Sequence, residues 1–203
     1  MLRASVLDGI LAGVMISIGG SVFLACDVKY VGAVFFTVAL LSICLFSFAL
    51  YTGKVGFLVR DHSKSALTAT FGGLLGNLLG TLVVGLAVAY AVPSLHEAAI
   101  TACENRLLQA GGQTLIRGIL CGVLMYTAVW TYREKKTLSG ILFCVPVFIL
   151  AGFEHSIADM FYFSLAGIFT GRMAGFLLLV LLGNSIGGML IPMLQCLKGE
   201  PHE

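Results

Sequence analysis

Charged side chains are scarce in this 203-residue chain, at 11% of the residues. Soluble globular domains carry about 25%. Because the hydrophobic fraction is 59% and the mean hydropathy is +1.01, this shortage of charge excludes a soluble globular protein and predicts a membrane protein. The few Lys and Arg residues are scattered along the chain, which gives no support to a nucleic-acid partner.

The chain also lacks the short motifs that build common active sites. It has no glycine-rich phosphate loop, no HExxH pair and no Gly-x-Ser-x-Gly turn, so we do not expect an enzyme. Its six cysteines form no CxxC pair. We therefore expect small buried apolar residues at these positions, with no disulfide frame, metal or cofactor.

Long apolar runs with few charges are abundant instead. Each is near or above the roughly 20 residues that an α-helix needs to cross a bilayer. They predict an all-α membrane protein with six transmembrane helices and short loops, in one domain over 1–203. A signal peptide is disfavoured because Asp8 interrupts the first run and five more follow. The runs cover residues 5–25, 31–52, 67–92, 107–132, 138–169 and 173–197.

The positions of the cations predict the orientation of these helices. With six spans, the side that holds both termini carries eight Lys and Arg residues, and the other side carries four. Cytoplasmic loops of membrane proteins hold the excess of Lys and Arg. We therefore expect a multi-pass protein of the cell membrane with both termini in the cytoplasm.

Two halves of the sequence resemble each other. Gly-Asn-x-x-Gly occurs at 76–80 and again at 183–187, and each copy follows a polar interruption of an apolar run, at 50–53 and 152–159. This pattern predicts a 3+3 inverted repeat, about 1–95 and 105–203, in which helices 2 and 5 are broken. The glycines fit close helix packing, whereas we assign the adjacent Asn77 and Asn184 to the pore.

Three ionisable residues, Glu154, His155 and Asp159, lie inside the fifth run. Each costs about 2.5–3.5 kcal/mol at membrane depth, so such groups usually mark a transport path. His155 and Asp159 share a helical face if the following segment is helical. The alternatives are a packing role for His155 and a structural ion pair between Glu154 and Arg106 or Arg117.

Together, the segments 152–161, 183–188, 76–80 and 50–53 resemble the formate/nitrite transporter family, and the likeness covers nearly the whole chain. This resemblance implies a homopentamer of aquaporin-like protomers in the lipid bilayer. Each protomer would have its own pore for small monovalent anions or their conjugate weak acids, such as formate, nitrite or hydrosulfide. Protons are a further implied partner.

The resemblance also implies roles for individual residues. His155 corresponds to the central pore histidine, Thr52 to the threonine of the broken second helix that faces it, and Glu154 and Arg106 to the pair that supports the histidine region. The resemblance further implies apolar constrictions above and below the histidine, at Phe36, Leu40, Tyr51, Met125 and Phe148. Without the resemblance, these five would be interpreted as ordinary core or lipid-facing residues.

Three departures from the family pattern stand out. Asp159 and Gly122 occupy positions where the family usually has asparagine. The acid at 159 either repels anions or keeps the His155 ring protonated and recruits them. The chain also begins almost at its first apolar run, so we do not expect the N-terminal cytoplasmic helix that serves gating in the family.

The predicted function is a membrane channel or transporter for a small monovalent anion or its weak acid, with His155 providing a proton or a positive field. Two alternatives stay open. One is an aquaporin-like pore for a small neutral solute or a cation, in which Asp159 discourages anions. The other is a membrane scaffold that does not transport.

Overall fold

A computed structural model describes residues 1–198, and every regular element in that range is a helix. The last five residues of the predicted second repeat, 199–203, lie outside the described range. A short 3-10 helix, Val55–Val59, follows the third α-helix directly. The α-helices are α1 Leu2–Ala25, α2 Lys29–Leu45, α3 Tyr51–Lys54, α4 Lys64–Ala91, α5 Pro93–Leu107, α6 Gly111–Lys135, α7 Ser139–Leu150, α8 Ser156–Ala166 and α9 Gly171–Leu197.

Helices α1, α4, α6 and α9 are long and apolar enough to cross a membrane, and no other helix of residues 1–198 meets both criteria. Helices α2 and α7 are apolar but shorter, with 17 and 12 residues. The predicted all-helical fold is confirmed. The second and fifth apolar runs are each divided between two helices.

The two interruptions share one local geometry. Helices α2 and α7 end two residues before a residue in the left-handed region, Ser47 at φ 60° and Gly152 at φ 71°. The next residue then bonds back into the last turn: Phe48 N–H donates to Ile43 at 3.0 Å and Phe153 N–H to Phe148 at 2.9 Å. This bond closes a Schellman motif, which ends a helix.

The interruption of the second run lies upstream of where we predicted it. We expected the break near Thr52 and Gly53, but residues 46–50 are non-helical and both of these residues belong to α3. The Schellman motif decides the position, because it ends α2 at Leu45, seven residues before the polar Thr52.

Residues 93–107, which we expected to be a loop, form α5. Pro93 occupies the first helical position, where a missing N–H costs nothing. Leu95, Ala99 and Cys103, spaced four apart, are its buried residues. The hydropathy windows miss this helix because a stripe one residue wide is not a continuous apolar run.

Glycines let two helix pairs approach closely. A Cβ on Gly76 of α4 would overlap the carbonyl oxygen of Val6 on α1, and a Cβ on Gly187 of α9 would overlap that of Ile119 on α6. The packing role predicted for these glycines is therefore what the structure shows. Large apolar side chains such as Phe143 and Val83 point outward and are 72% and 66% exposed, as expected for faces against lipid or other subunits.

Candidate functional site

His155 lies between α7 and α8, where both of its ring nitrogens have partners. Its Nδ1 accepts the N–H of Ala158 at 3.1 Å, which caps α8, and its Nε2 lies 2.8 Å from Thr52 Oγ1 on α3. Because a backbone N–H only donates, Nδ1 carries no proton in this arrangement. The neutral ring therefore has its hydrogen on Nε2 and donates it to Thr52, and a second proton would break the cap.

Aromatic rings cover the imidazole on one side. Phe148 of α7 stacks on His155 with ring centroids 5.7 Å apart, and Phe36 of α2 meets Phe148 edge-on at 6.3 Å. His155 is 3% exposed, so its Nε2–H and the Thr52 hydroxyl are buried polar groups next to these two apolar rings.

Asn77 and Asn184 bind the backbone at the two interruptions. The Asn77 amide accepts the N–H of Tyr51 at 2.9 Å and donates to the carbonyls of Ala49 and Gly9, both at 2.9 Å. The same arrangement occurs in the other half, where Asn184 has one acceptor bond and two donor bonds. Its partners are Ser156 N–H at 2.9 Å and the carbonyls of Glu154 and Gly118 at 2.9 and 2.8 Å.

Two acidic side chains share one arginine beside His155. Arg106 Nε lies 3.1 Å from Glu154 Oε2 and 3.0 Å from Asp159 Oδ1. Glu154 Oε1 also accepts from Gln109 at 2.6 Å and lies 3.9 Å from Arg117. The predicted contact of Glu154 with Arg106 is present, and α5, which the sequence did not reveal, positions the arginine.

Asp159 faces this arginine and not the imidazole. Neither nitrogen of His155 bonds to Asp159, because Thr52 and Ala158 occupy them. The second carboxyl oxygen of Asp159, Oδ2, is buried without a hydrogen-bond partner in the described part of the chain. Asp159 therefore forms an ion pair with Arg106 and makes no direct hydrogen bond to the imidazole ring.

Two cavities lie near the His155–Thr52 contact: His155 lines one of them, and Gly53, the neighbour of Thr52, lines the other. The first, which we call the Arg106 cavity, has a volume of about 320 Å³, and Arg106, Glu154, His155 and Asp159 line it. The second, the Lys54 cavity, has about 310 Å³, and Gly53, Lys54 and Arg133 line it. Cations line both cavities, and in the first the acids Glu154 and Asp159 accompany Arg106.

The five predicted constriction residues are all buried. Phe36 and Phe148 line the Arg106 cavity, and Leu40 lines the Lys54 cavity. Tyr51 and Met125 are absent from both linings, and the Tyr51 hydroxyl lies 2.9 Å from Ser185 Oγ. Asn77 and Asn184 also lie outside both linings.

Gly122, the second departure from the family pattern, lies where α6 and α9 touch. A Cβ at this position would overlap the backbone oxygen of Asn184 and lie 2.8 Å from Gly188 N. No asparagine side chain fits into this contact. Sequence reasoning did not assign Gln109, Lys54 or Arg133 to the site, because a single polar residue within or just beyond an apolar run is a weak signal.

An all-helical bundle with four helices long and apolar enough to cross a membrane, built around a buried polar contact, is the architecture expected of a membrane channel or transporter. The family model for the formate/nitrite transporter matches residues 1–197. The chain therefore belongs to the formate/nitrite transporter family, and the predicted membership is confirmed.

Three curated relatives show how the chain aligns with longer proteins. It is 27% identical over 185 residues to formate-nitrite transporter 2 of Toxoplasma gondii, covering 80% of this chain and 40% of that protein. It is 27% identical to the uncharacterized transporter YwcJ of Bacillus subtilis over 79% of this chain and 72% of the relative. It is 30% identical to the uncharacterized transporter YrhG of the same organism, over 78% of this chain and 66% of that protein.

Solved structures share the fold over nearly the whole chain. An FNT family ion channel superimposes with a TM-score of 0.78 at 23% identity, covering 98% of this chain and 90% of that one. A pentameric formate channel with formate bound gives a TM-score of 0.76 at 23% identity and covers 98% of both chains.

Proposed function

We propose that this protein is a membrane channel or transporter for a small monovalent anion or its conjugate weak acid, of the formate, nitrite and hydrosulfide class. The observation that carries the proposal is the buried contact between His155 and Thr52, with one cavity lined by His155 and another lined by Gly53, the neighbour of Thr52. Family membership and the formate bound to a channel of the same fold support this substrate class.

The permeation path runs from one cavity to the other past His155. Arg106 and Lys54 attract the anion to the two cavities. Phe36, Phe148 and Leu40 then remove its water, which favours the neutral acid over the anion because a charge without water or a partner is costly in an apolar path.

His155 supplies the polar point in this path. In the neutral form, its Nε2–H and the hydroxyl of Thr52 offer hydrogen bonds to a passing solute. A fully charged ring would have to give up the Ala158 cap and would face the partial positive charge at the start of α8. The positive field at the centre therefore comes from the N–H dipole of the neutral ring.

The proposed topology has six spans in two inverted halves, with α2 and α3 as the broken second span and α7 and α8 as the broken fifth. Asn77 and Asn184 support this scheme, because each satisfies backbone groups that a break leaves without partners at membrane depth.

The excess of Lys and Arg on the side that holds both termini supports cytoplasmic termini in the cell membrane. A single domain over 1–203 is proposed, because residues of both repeats line each of the two cavities.

A homopentamer in the lipid bilayer is the proposed assembly. The solved formate channel of this fold is pentameric. The large apolar faces of the protomer supply the surface that subunit contacts and lipids would cover.

The test is uptake of formate, nitrite and hydrosulfide into proteoliposomes by wild type and His155→Ala. We expect wild type to transport at least one anion and His155→Ala to be about tenfold slower or worse, since a lost hydrogen bond of ~1.4 kcal/mol in the path slows passage tenfold. His62→Ala, in an exposed loop, is the matched control and should behave as wild type.

Equal uptake by wild type and His155→Ala would overturn the role of the histidine. Swelling in glycerol or urea without anion uptake would instead identify a pore for neutral solutes. No transport of any solute would identify a scaffold.

A further inference from the structure

Glu154 and Asp159 depend on the same hydrogen. The Nε atom of Arg106 lies 3.1 Å from Glu154 Oε2 and 3.0 Å from Asp159 Oδ1. Both acidic side chains are almost completely buried, at 6% and 1% exposure. A single N–H donor therefore serves two neighbouring acids.

This geometry favours one proton on the pair at rest. Two buried carboxylates that share one arginine do not both stay ionised, because the second negative charge meets the first in a medium that screens little. The buried Oδ2 of Asp159, which has no partner in the described residues, agrees with an acid that is not fully paired as an anion. With one shared proton, Glu154, Asp159 and Arg106 together have no net charge.

The charged and titratable groups around the pair come from three helices. They are Arg106 and Cys103 on α5, Arg117 and Cys121 on α6, and Tyr162 on α8. Arg117 is 43% exposed and 3.9 Å from Glu154, so water screens its charge. Arg106 alone therefore balances the pair, and one arginine balances one carboxylate and not two.

We propose that Glu154 and Asp159 form a proton-binding pair that protonates the incoming weak-acid anion in the Arg106 cavity, before it reaches the apolar constriction. This inference rests on the proposed function. The pair lines the same cavity as His155, so an anion held by Arg106 meets the proton donor where its own charge becomes costly.

His155 is poorly placed to be this donor. Its only hydrogen in the neutral ring is on Nε2, which Thr52 accepts, and its Nδ1 is occupied by Ala158 N–H. Giving up the Nε2 hydrogen would leave an imidazolate, which no biological pH supports. The carboxyl pair has a transferable proton without such a cost.

The step balances in protons and charge. The carboxyl O–H bond of the pair breaks, and an O–H or S–H bond forms on the anion. The neutral acid then moves past His155, and the pair, now doubly ionised beside Arg106, takes a new proton from water in the same cavity. One proton accompanies each anion, so the overall transport is electroneutral.

The experiment compares wild type, Asp159→Asn and Asp27→Asn in proteoliposomes loaded with a pH-sensitive dye, with formate uptake measured between pH 6 and 8. Asp159→Asn leaves Glu154 ionised against Arg106 and without a shared proton. Its uptake should follow the concentration of neutral acid in the medium, roughly tenfold per pH unit. Wild type and the exposed Asp27→Asn should show a shallower profile and one proton per formate.

Infrared difference spectroscopy of the purified proteins at pH 7 is the second readout. We expect a C=O stretching band of a protonated carboxyl group in wild type and in Asp27→Asn, and its loss in Asp159→Asn. This readout does not depend on transport.

Identical pH profiles for wild type and Asp159→Asn, with formate transported by both, would overturn the proton-donor role and leave the proposed function intact. Absence of the infrared band in wild type would overturn the shared proton. A wild type that transports no anion would instead refute the proposed function, and the infrared result would still decide whether the pair holds a proton.

Discussion

The Nε2 atom of His155 and the Oγ1 atom of Thr52 lie 2.8 Å apart and join the two interrupted apolar runs at the centre of the molecule. Thr52 is the second residue of α3, which begins directly after the first interruption, and His155 is the last residue of the second. Both side chains are buried. The contact therefore fixes the two halves against each other at the place where the solute is proposed to pass.

Replacing Thr52 by valine should lower the thermal stability of the protein and slow its transport. Valine keeps the shape but leaves the His155 N–H unpaired, which costs about 1–3 kcal/mol. For a chain of this size, we expect the midpoint of thermal unfolding in detergent to fall by roughly 2–4 °C per kcal/mol. Thr52→Ser keeps the hydroxyl and is the control, so equal midpoints for the two variants would contradict the assigned hydrogen bond.

Asn184→Ala should be one of the more destabilising substitutions in the chain. It removes three buried hydrogen bonds at once and leaves the Ser156 N–H and the Glu154 carbonyl without partners, whereas the Gly118 carbonyl keeps its helical bond within α6. Each unpaired buried group costs about 1–3 kcal/mol. We expect loss of most folded protein, measured as the monodisperse fraction in size-exclusion chromatography.

The control for this variant is Asn105→Ala, at an exposed position of α5, which should purify like wild type. Asn77→Ala should behave like Asn184→Ala, because it removes the equivalent three bonds in the other half. A stable Asn184→Ala protein with an unchanged midpoint would show that these amides do not support the interruptions.

Two glycines of α9 should respond in opposite ways to the same change. A methyl group on Gly187 would overlap the carbonyl oxygen of Ile119, whereas nothing lies within 4 Å of a methyl group on Gly175. Overpacking costs about 1–3 kcal/mol, and alanine in an open helical position gains up to roughly 1 kcal/mol over glycine. Thermal unfolding should show a lower midpoint for Gly187→Ala and an equal or higher one for Gly175→Ala.

The polar cluster could be located from the sequence because ionisable side chains at membrane depth are costly and therefore rare in apolar runs. Glu154, His155 and Asp159 stand out in an apolar run, and the repeated Gly-Asn-x-x-Gly pattern pairs Asn77 with Asn184. The identity of their partners was only partly accessible. Glu154 was matched to Arg106, but the sharing of that arginine with Asp159 required α5, which has too narrow an apolar stripe to appear in hydropathy.

The sequence by itself determined the membrane setting, the helical class, the family and the location of the polar centre, since each follows from composition or from residues close together along the chain. Tertiary structure alone decided the rest. It showed that Asn77 and Asn184 bind backbone groups and that Gly122 has no space for a side chain. These properties depend on distances between helices far apart in sequence, and no local pattern encodes such distances.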